Sequence, residues 1–218
     1  MEKLSVYQIL GYLIPGYGAL FILNKIMVLV PEATFNSVAL DQVVPVFIFS
    51  LIIGVIIHSI IDLLKPIGWF KGSMYKHPSE IITKNELVQT YPKILTVLQT
   101  EFKEISKLDL NFKDSYPLHL FDFAYYYLES KSSDSEIKAL HGLYYLMRNL
   151  FFVAVVAALY FFILCLKSQF NDHFGECILF VTGGFGTYFS AIFIREKYIC
   201  KTILVYYAER MHANRDKK

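Results

Sequence analysis

Residues 149–166 read NLFFVAVVAALYFFILCL, a run without a charged side chain and nearly long enough to cross the hydrocarbon core of a bilayer as a helix. The run has no break on its upstream side. From Glu136 to Lys167 (EIKALHGLYYLMRNLFFVAVVAALYFFILCLK) there is no proline. The spacing predicts one helix, on the order of 45 Å long, leading from water into lipid.

Three further windows have the same character: about Leu4 to Asn24, about Val43 to Leu64, and about Cys177 to Ile194 (CILFVTGGFGTYFSAIFI). One such window is also what a buried soluble helix looks like; four in 218 residues are not. Composition agrees, with 55% hydrophobic and only 18% charged residues, where soluble domains carry about a quarter charged. The first window is long, is interrupted by Pro15, Gly16 and Gly18, and lacks a small-x-small cleavage site. It is read as a retained membrane segment rather than a signal peptide.

Lysines and arginines orient the spans, because cytoplasmic flanks carry their excess. The connection over 25–42 sets Lys25 against Glu32 and Asp41, and the short one after span three sets Lys167 against Asp172 and Glu176. Lys65, Lys71 and Lys76 follow span two; Arg195, Lys197, Lys201, Arg210, Arg215, Lys217 and Lys218 follow span four. Both termini are therefore expected in the cytoplasm. The expected fold is all-α: a four-helix transmembrane bundle with a helical cytoplasmic domain inserted between spans two and three. The corresponding segments are 1–64 (spans one and two), 65–148 (cytoplasmic domain), 149–194 (spans three and four) and 195–218 (basic helical tail).

Within the inserted segment, 79–89, 92–108 and 117–130 place apolar residues at three- and four-residue spacing, as helices do. Pro78, Pro92 and Pro117 suit helix starts, and Ser133 with Glu136 has capping-box spacing. Phe121, Tyr125 and Leu128 recur at helical intervals, a pattern of core residues rather than of a base-stacking platform. The net charge is only +2 and no basic patch is interleaved with aromatics, so direct nucleic-acid binding is not expected.

Four polar residues break the apolar pattern at one membrane face. His58 and Asp62 are four apart near the end of span two and share a helix face. Arg148 enters span three and Arg195 leaves span four at the same level. Ionisable groups at such depth pair or line polar cavities, so the four are candidates for a polar cluster that holds or gates the bundle; the long arginines also have the alternative of snorkelling to headgroups. An HxxxD pair on a helix can also ligate metal, but a catalytic zinc site takes three protein ligands. His119, His141, His173 and His212 form no second such motif. No nucleophile elbow, Walker motif or HExxH occurs, so no catalytic residue, metal or cofactor is expected.

A HEPN ribonuclease carries Arg, a polar residue and four intervening positions before His. Arg148 and Asn149 open that pattern, but Ala154 occupies the His position; Arg195 is followed by Lys201, and Arg210 lies too close to His212. Cys165, Cys177 and Cys200 show no metal-like spacing. Cys165 and Cys177 flank a short loop and are placed to pair only if it faces an oxidising compartment.

Glycines mark the helix-packing positions. Gly183, Gly184, Gly186 and Ser190 give span four small-xxx-small faces that let helices approach closely in lipid, within one chain or between chains. In LGYLIPGYGAL, Gly11, Pro15, Gly16 and Gly18 predict a kinked first helix whose freed carbonyls need a partner on a neighbouring helix or a water-filled path.

The opening LGYLIPGYGALF, the helical insertion after two spans and the Arg-entered third span resemble small multi-span accessory proteins encoded at bacterial antiphage loci, those of type VI-B CRISPR loci among them. The resemblance is architectural and runs along most of the chain. It implies an oligomeric effector of the bacterial cytoplasmic (inner) membrane that disturbs the bilayer when a nucleic-acid-sensing partner is activated. Its partners would be membrane lipid, further copies of itself and a cytoplasmic protein. A tethering scaffold for a soluble partner and an intramembrane metal enzyme built on His58 and Asp62 are the alternative readings.

Overall fold

A computed structural model describes residues 6–29, 43–64, 74–76, 78–84, 94, 96–97, 100, 116–130, 135–167 and 173–215. Among them the regular elements are all helical: α1 (Val6–Leu29), α2 (Val43–Leu64), α3 (Pro78–Lys84), α4 (Tyr116–Ser130), α5 (Ser135–Lys167) and α6 (Phe174–Arg215). The helix expected over 92–108 lies largely outside the described residues, as do Lys65, Lys71, Ser133, the second half of 79–89 and the last residues of the basic tail.

Among the described residues three helices are long and apolar enough to cross a membrane: α2, α5 over Glu136–Lys167, and α6 over Phe174–Met211. The helix expected from Glu136 to Lys167 is continuous, and α6 runs unbroken for 42 residues. The first expected span is also helical, as α1, with an apolar stretch described over Ile9–Lys25. Ile and Val, which fill α2, are mediocre helix formers in water. In an apolar surrounding an unpaired backbone group costs several kcal/mol, and a helix satisfies all of them within the segment.

The chain forms two compact units. The first comprises Met1–Met74 and His141–Ile194, the second Tyr75–Leu140 and Arg195–Lys218. Helices α5 and α6 each contribute residues to both.

In the first unit, α5 and α6 meet along a seam of small and aromatic residues. The position of a Cβ on Gly184 lies 3.5 Å from the Ala154 methyl, Phe161 stacks on Phe180 with ring centroids 5.5 Å apart, and Phe151 meets Tyr188 at 5.4 Å. Ala157, Phe161 and Ala191 are buried, whereas Phe47, Ile52, Ile56, Leu159, Phe185 and Phe189 are exposed. An apolar exterior around a packed interior suits a lipid solvent.

The second unit buries Phe121, Ala124 and Leu128 of α4 together with Tyr198, Ile199, Ile203 and Tyr206 of α6. Phe121 meets Tyr198 edge-on at 5.5 Å and Tyr127 meets Tyr206 at 5.0 Å. Arg210 lies 5.3 Å over the Tyr127 ring, and Lys201 bridges to Glu136 at 2.8 Å. Phe121 and Leu128 are thus core residues, with Tyr125 half-buried beside them.

Candidate functional site

Helix α2 carries Ser50, Gly54, His58 and Asp62 at four-residue intervals, one stripe along a single face. Small residues at one end of that stripe bring α1 into contact. A Cβ on Gly16 would collide with the Ser50 carbonyl, and one on Gly54 with the Tyr12 carbonyl, so the two helices touch backbone to backbone through reciprocal glycines. On the other side of α1, a Cβ on Gly142 would lie 2.6 Å from Cβ of Tyr7, and one on Gly11 would lie 3.2 Å from the Gly142 carbonyl. Helix α1 is therefore clasped between α2 and α5.

Pro15 sits inside α1 and has no N–H to offer the carbonyl four residues back, which is Gly11. The Asn149 amide of α5 donates to that same oxygen at 3.0 Å, and Asn149 is fully buried. A backbone acceptor left vacant by the proline is satisfied by a side chain of a neighbouring helix, the first of the two ways out that the sequence allows.

The polar end of the α2 stripe meets Arg148, the residue before Asn149. Arg148 is 1% exposed. Its Nη1 donates to Asp62 Oδ1 at 2.9 Å and its Nη2 lies 2.6 Å from His58 Nδ1. His58 Nε2 is in turn 3.5 Å from Asp62 Oδ2. The guanidinium has donors only and stays charged. His58 Nδ1 must therefore be an acceptor, which makes the imidazole neutral and puts its proton on Nε2, the nitrogen that faces Asp62.

Aromatic rings fix this arrangement. The His58 ring is held edge-on between Tyr12 of α1, at 5.0 Å and 88°, and Tyr145 of α5, at 4.7 Å and 84°. The Arg148 guanidinium lies 4.9 Å over the Tyr145 ring and 5.8 Å over Tyr144, positions in which the ring quadrupole favours a cation. Burying a lone guanidinium costs several kcal/mol; here the Asp62 carboxylate balances the charge, His58 accepts a second hydrogen bond and the tyrosine rings face the cation.

Of the four polar residues picked out by the sequence, His58, Asp62 and Arg148 are thus in contact, while Arg195 begins the second unit's share of α6. The guanidinium takes up both the imidazole acceptor and a carboxylate oxygen, so a metal ion on this pair would first have to displace it. Among the described residues no group of three or more His, Cys, Asp or Glu is placed to hold a metal. Cys165, Cys177 and Cys200 are free thiols; Cys177 Sγ lies 3.8 Å from the Ala158 carbonyl.

The glycines divide by role. Gly16 packs inward against α2, Gly18 makes an ordinary 3.7 Å contact with Val153, and Gly184 packs on Ala154. Gly183 and Gly186 meet nothing within 4 Å of a built Cβ and lie on the exposed face of α6, with Ser190 half-exposed one turn further on. An open apolar groove of about 370 Å³, lined by Phe151, Ala158, Leu159, Phe180, Gly184 and Tyr188, lies between α5 and α6.

Sequence reasoning missed Gly54, Gly142, Tyr12, Tyr145 and the capping role of Asn149. The four-residue register of Ser50, Gly54, His58 and Asp62 was a usable signal for Gly54, and Pro15 already names Gly11 as the vacant acceptor. Nothing local in the sequence ties Asn149, Tyr12 or Tyr145 to these positions. No protein-family model matches the chain, no curated protein matches it in sequence, and no solved structure matches it.

Proposed function

We propose that this chain is an integral membrane effector of the bacterial cytoplasmic membrane. In this reading α1, α2, the apolar part of α5 and the first part of α6 form a four-span bundle with both termini in the cytoplasm, and the second unit is cytoplasmic. The bundle opens or perturbs the bilayer, as an oligomer, when the second unit receives a signal, in antiphage defence. The observation that carries the proposal is the buried contact of Arg148 with Asp62 and His58. A tie that buries a guanidinium between otherwise apolar helices is costly unless its partners are in place, which makes it a natural latch. Helices α5 and α6 supply residues to both units, and so offer the route by which a signal would reach the latch. Gly183 and Gly186, open to another chain, support the oligomeric part of the reading.

Expression with an activating partner should depolarise the host membrane, and His58→Ala or Asp62→Ala should shift the threshold for depolarisation. An unchanged potential with normal growth under activating conditions argues against the effector. The presence of a second unit with its own core favours one alternative, a scaffold that tethers a soluble protein. A scaffold would be silent in liposomes under all conditions while still retaining a cytoplasmic partner at the membrane.

A further inference from the structure

The latch has one member, the His58 imidazole, that is neutral as it stands and has a nitrogen able to take up a proton, and the geometry sets what that proton would do. Arg148 Nη2 and His58 Nδ1 are 2.6 Å apart, a contact that exists only while Nδ1 keeps its lone pair. We infer that His58 is a proton-binding site, and that protonation at Nδ1 breaks its hydrogen bond to Arg148 and loosens α5 from α2. The inference rests on the effector reading for its consequence, a membrane response to acid, but not for the site itself.

The balance is simple. With His58 neutral, the Asp62 carboxylate and the Arg148 guanidinium cancel. A proton arriving at Nδ1 turns the acceptor into a donor facing another donor and leaves the cluster with a net positive charge. The imidazolium keeps Asp62, which stands four residues along the same helix and 3.5 Å from Nε2, so the pair internal to α2 strengthens as the pair between α2 and α5 weakens. Competition for one carboxylate thus turns a link between helices into a link within one helix.

The groups facing His58 come from three helices. Helix α1 presents Tyr12. Helix α2 presents Asp62. Helix α5 presents Tyr145 and Arg148 directly, with His141 4.4 Å from the Tyr145 ring. The tyrosines are neutral through the physiological range, so Asp62 is the one anion among these groups and Arg148 already engages it. A route for the proton exists at the Asp62 edge, where that side chain is 39% exposed against 17% for His58. With the expected orientation this edge faces the cytoplasm, and the signal read would be cytoplasmic acidification.

The test uses the full chain in lipid vesicles, with nitrogen-15 histidine NMR and amide exchange on the same preparation. At neutral pH, His58 should show a protonated Nε2 and a hydrogen-bonded, unprotonated Nδ1. As the pH is lowered from about 7.5 to about 5.5, exchange at 57–62 and 145–149, corrected for its intrinsic pH dependence, should rise, reaching about tenfold per pH unit where opening takes up one proton at His58. His58→Asn keeps an acceptor near the Nδ1 position and cannot be protonated in this range, so its exchange should stay flat. A protonated Nδ1 in the neutral wild type overturns the proposal even if the variant does not fold, and so does a variant that follows the wild type with pH. Dye release from the same vesicles separates the two ideas. Acid opening without release counts against the effector and leaves the proton site standing; release indifferent to pH and to His58→Asn keeps the effector and removes its gating by His58.

Discussion

Replacing Asp62 by Ala removes the counter-charge of a guanidinium that is 1% exposed and 2.9 Å from it. Unit charges about 4 Å apart interact by about 4 kcal/mol at an effective dielectric constant of about 20. Removing one partner of a buried pair costs about 3–5 kcal/mol, because the survivor stays desolvated. Asp62 is itself 39% exposed, which screens part of the attraction, so the expected loss is about 2–3 kcal/mol. Arg148→Met should cost less, about 1 kcal/mol, since the carboxylate left behind reaches the surface. The decisive variant is the double one. With Asp62→Leu and Arg148→Met together no charge is buried, and the protein should be more stable than Asp62→Ala alone, as apolar replacements of buried pairs often are. Reversible unfolding of the full chain in mixed micelles, followed by circular dichroism, gives all the values in one series. A loss below about 0.5 kcal/mol for Asp62→Ala, or a double variant no more stable than Asp62→Ala, would refute the reasoning.

Two more predictions concern α1. Asn149→Ala leaves the Gly11 carbonyl buried without its donor and should cost about 1–3 kcal/mol; in a Pro15→Ala background, where the backbone donor is restored, the same substitution should cost clearly less, and equal costs in both backgrounds would disprove the pairing. Gly16→Ala and Gly54→Ala each set a methyl group against the backbone of the facing helix and should destabilise by about 1–3 kcal/mol or more. Gly183→Ala and Gly186→Ala meet nothing within 4 Å, so they should leave the monomer no less stable; on the oligomeric reading they should also shift the oligomer distribution seen by native mass spectrometry, and an unchanged distribution argues against that face as an interface.

The helical class and the positions of the long helices were legible because apolar runs bounded by charges have one inexpensive backbone solution in lipid, intrahelical hydrogen bonding. Continuity of α5 from Ser135 to Lys167 follows from the absence of proline. The vacant acceptor in the first helix was also legible, since Pro15 points to the Gly11 carbonyl four residues back. Less legible was which small residues face inward. Gly183, Gly184 and Gly186 look alike in sequence, but only Gly184 meets Ala154, because adjacent helical positions point about 100° apart and the rotation of a helix about its axis depends on its neighbours.

By itself the sequence determined that His58 and Asp62 share a face, as residues four apart on a helix must. It also determined that a basic residue enters the third apolar run. The tertiary structure alone decided that Arg148, 86 residues beyond Asp62, reaches the carboxylate and the imidazole together, and that the next residue closes the acceptor opened by Pro15. Periodicity sets spacing along one helix, whereas which helices meet, at what height and in what rotation depends on close contacts such as those at Gly16, Gly54 and Gly142.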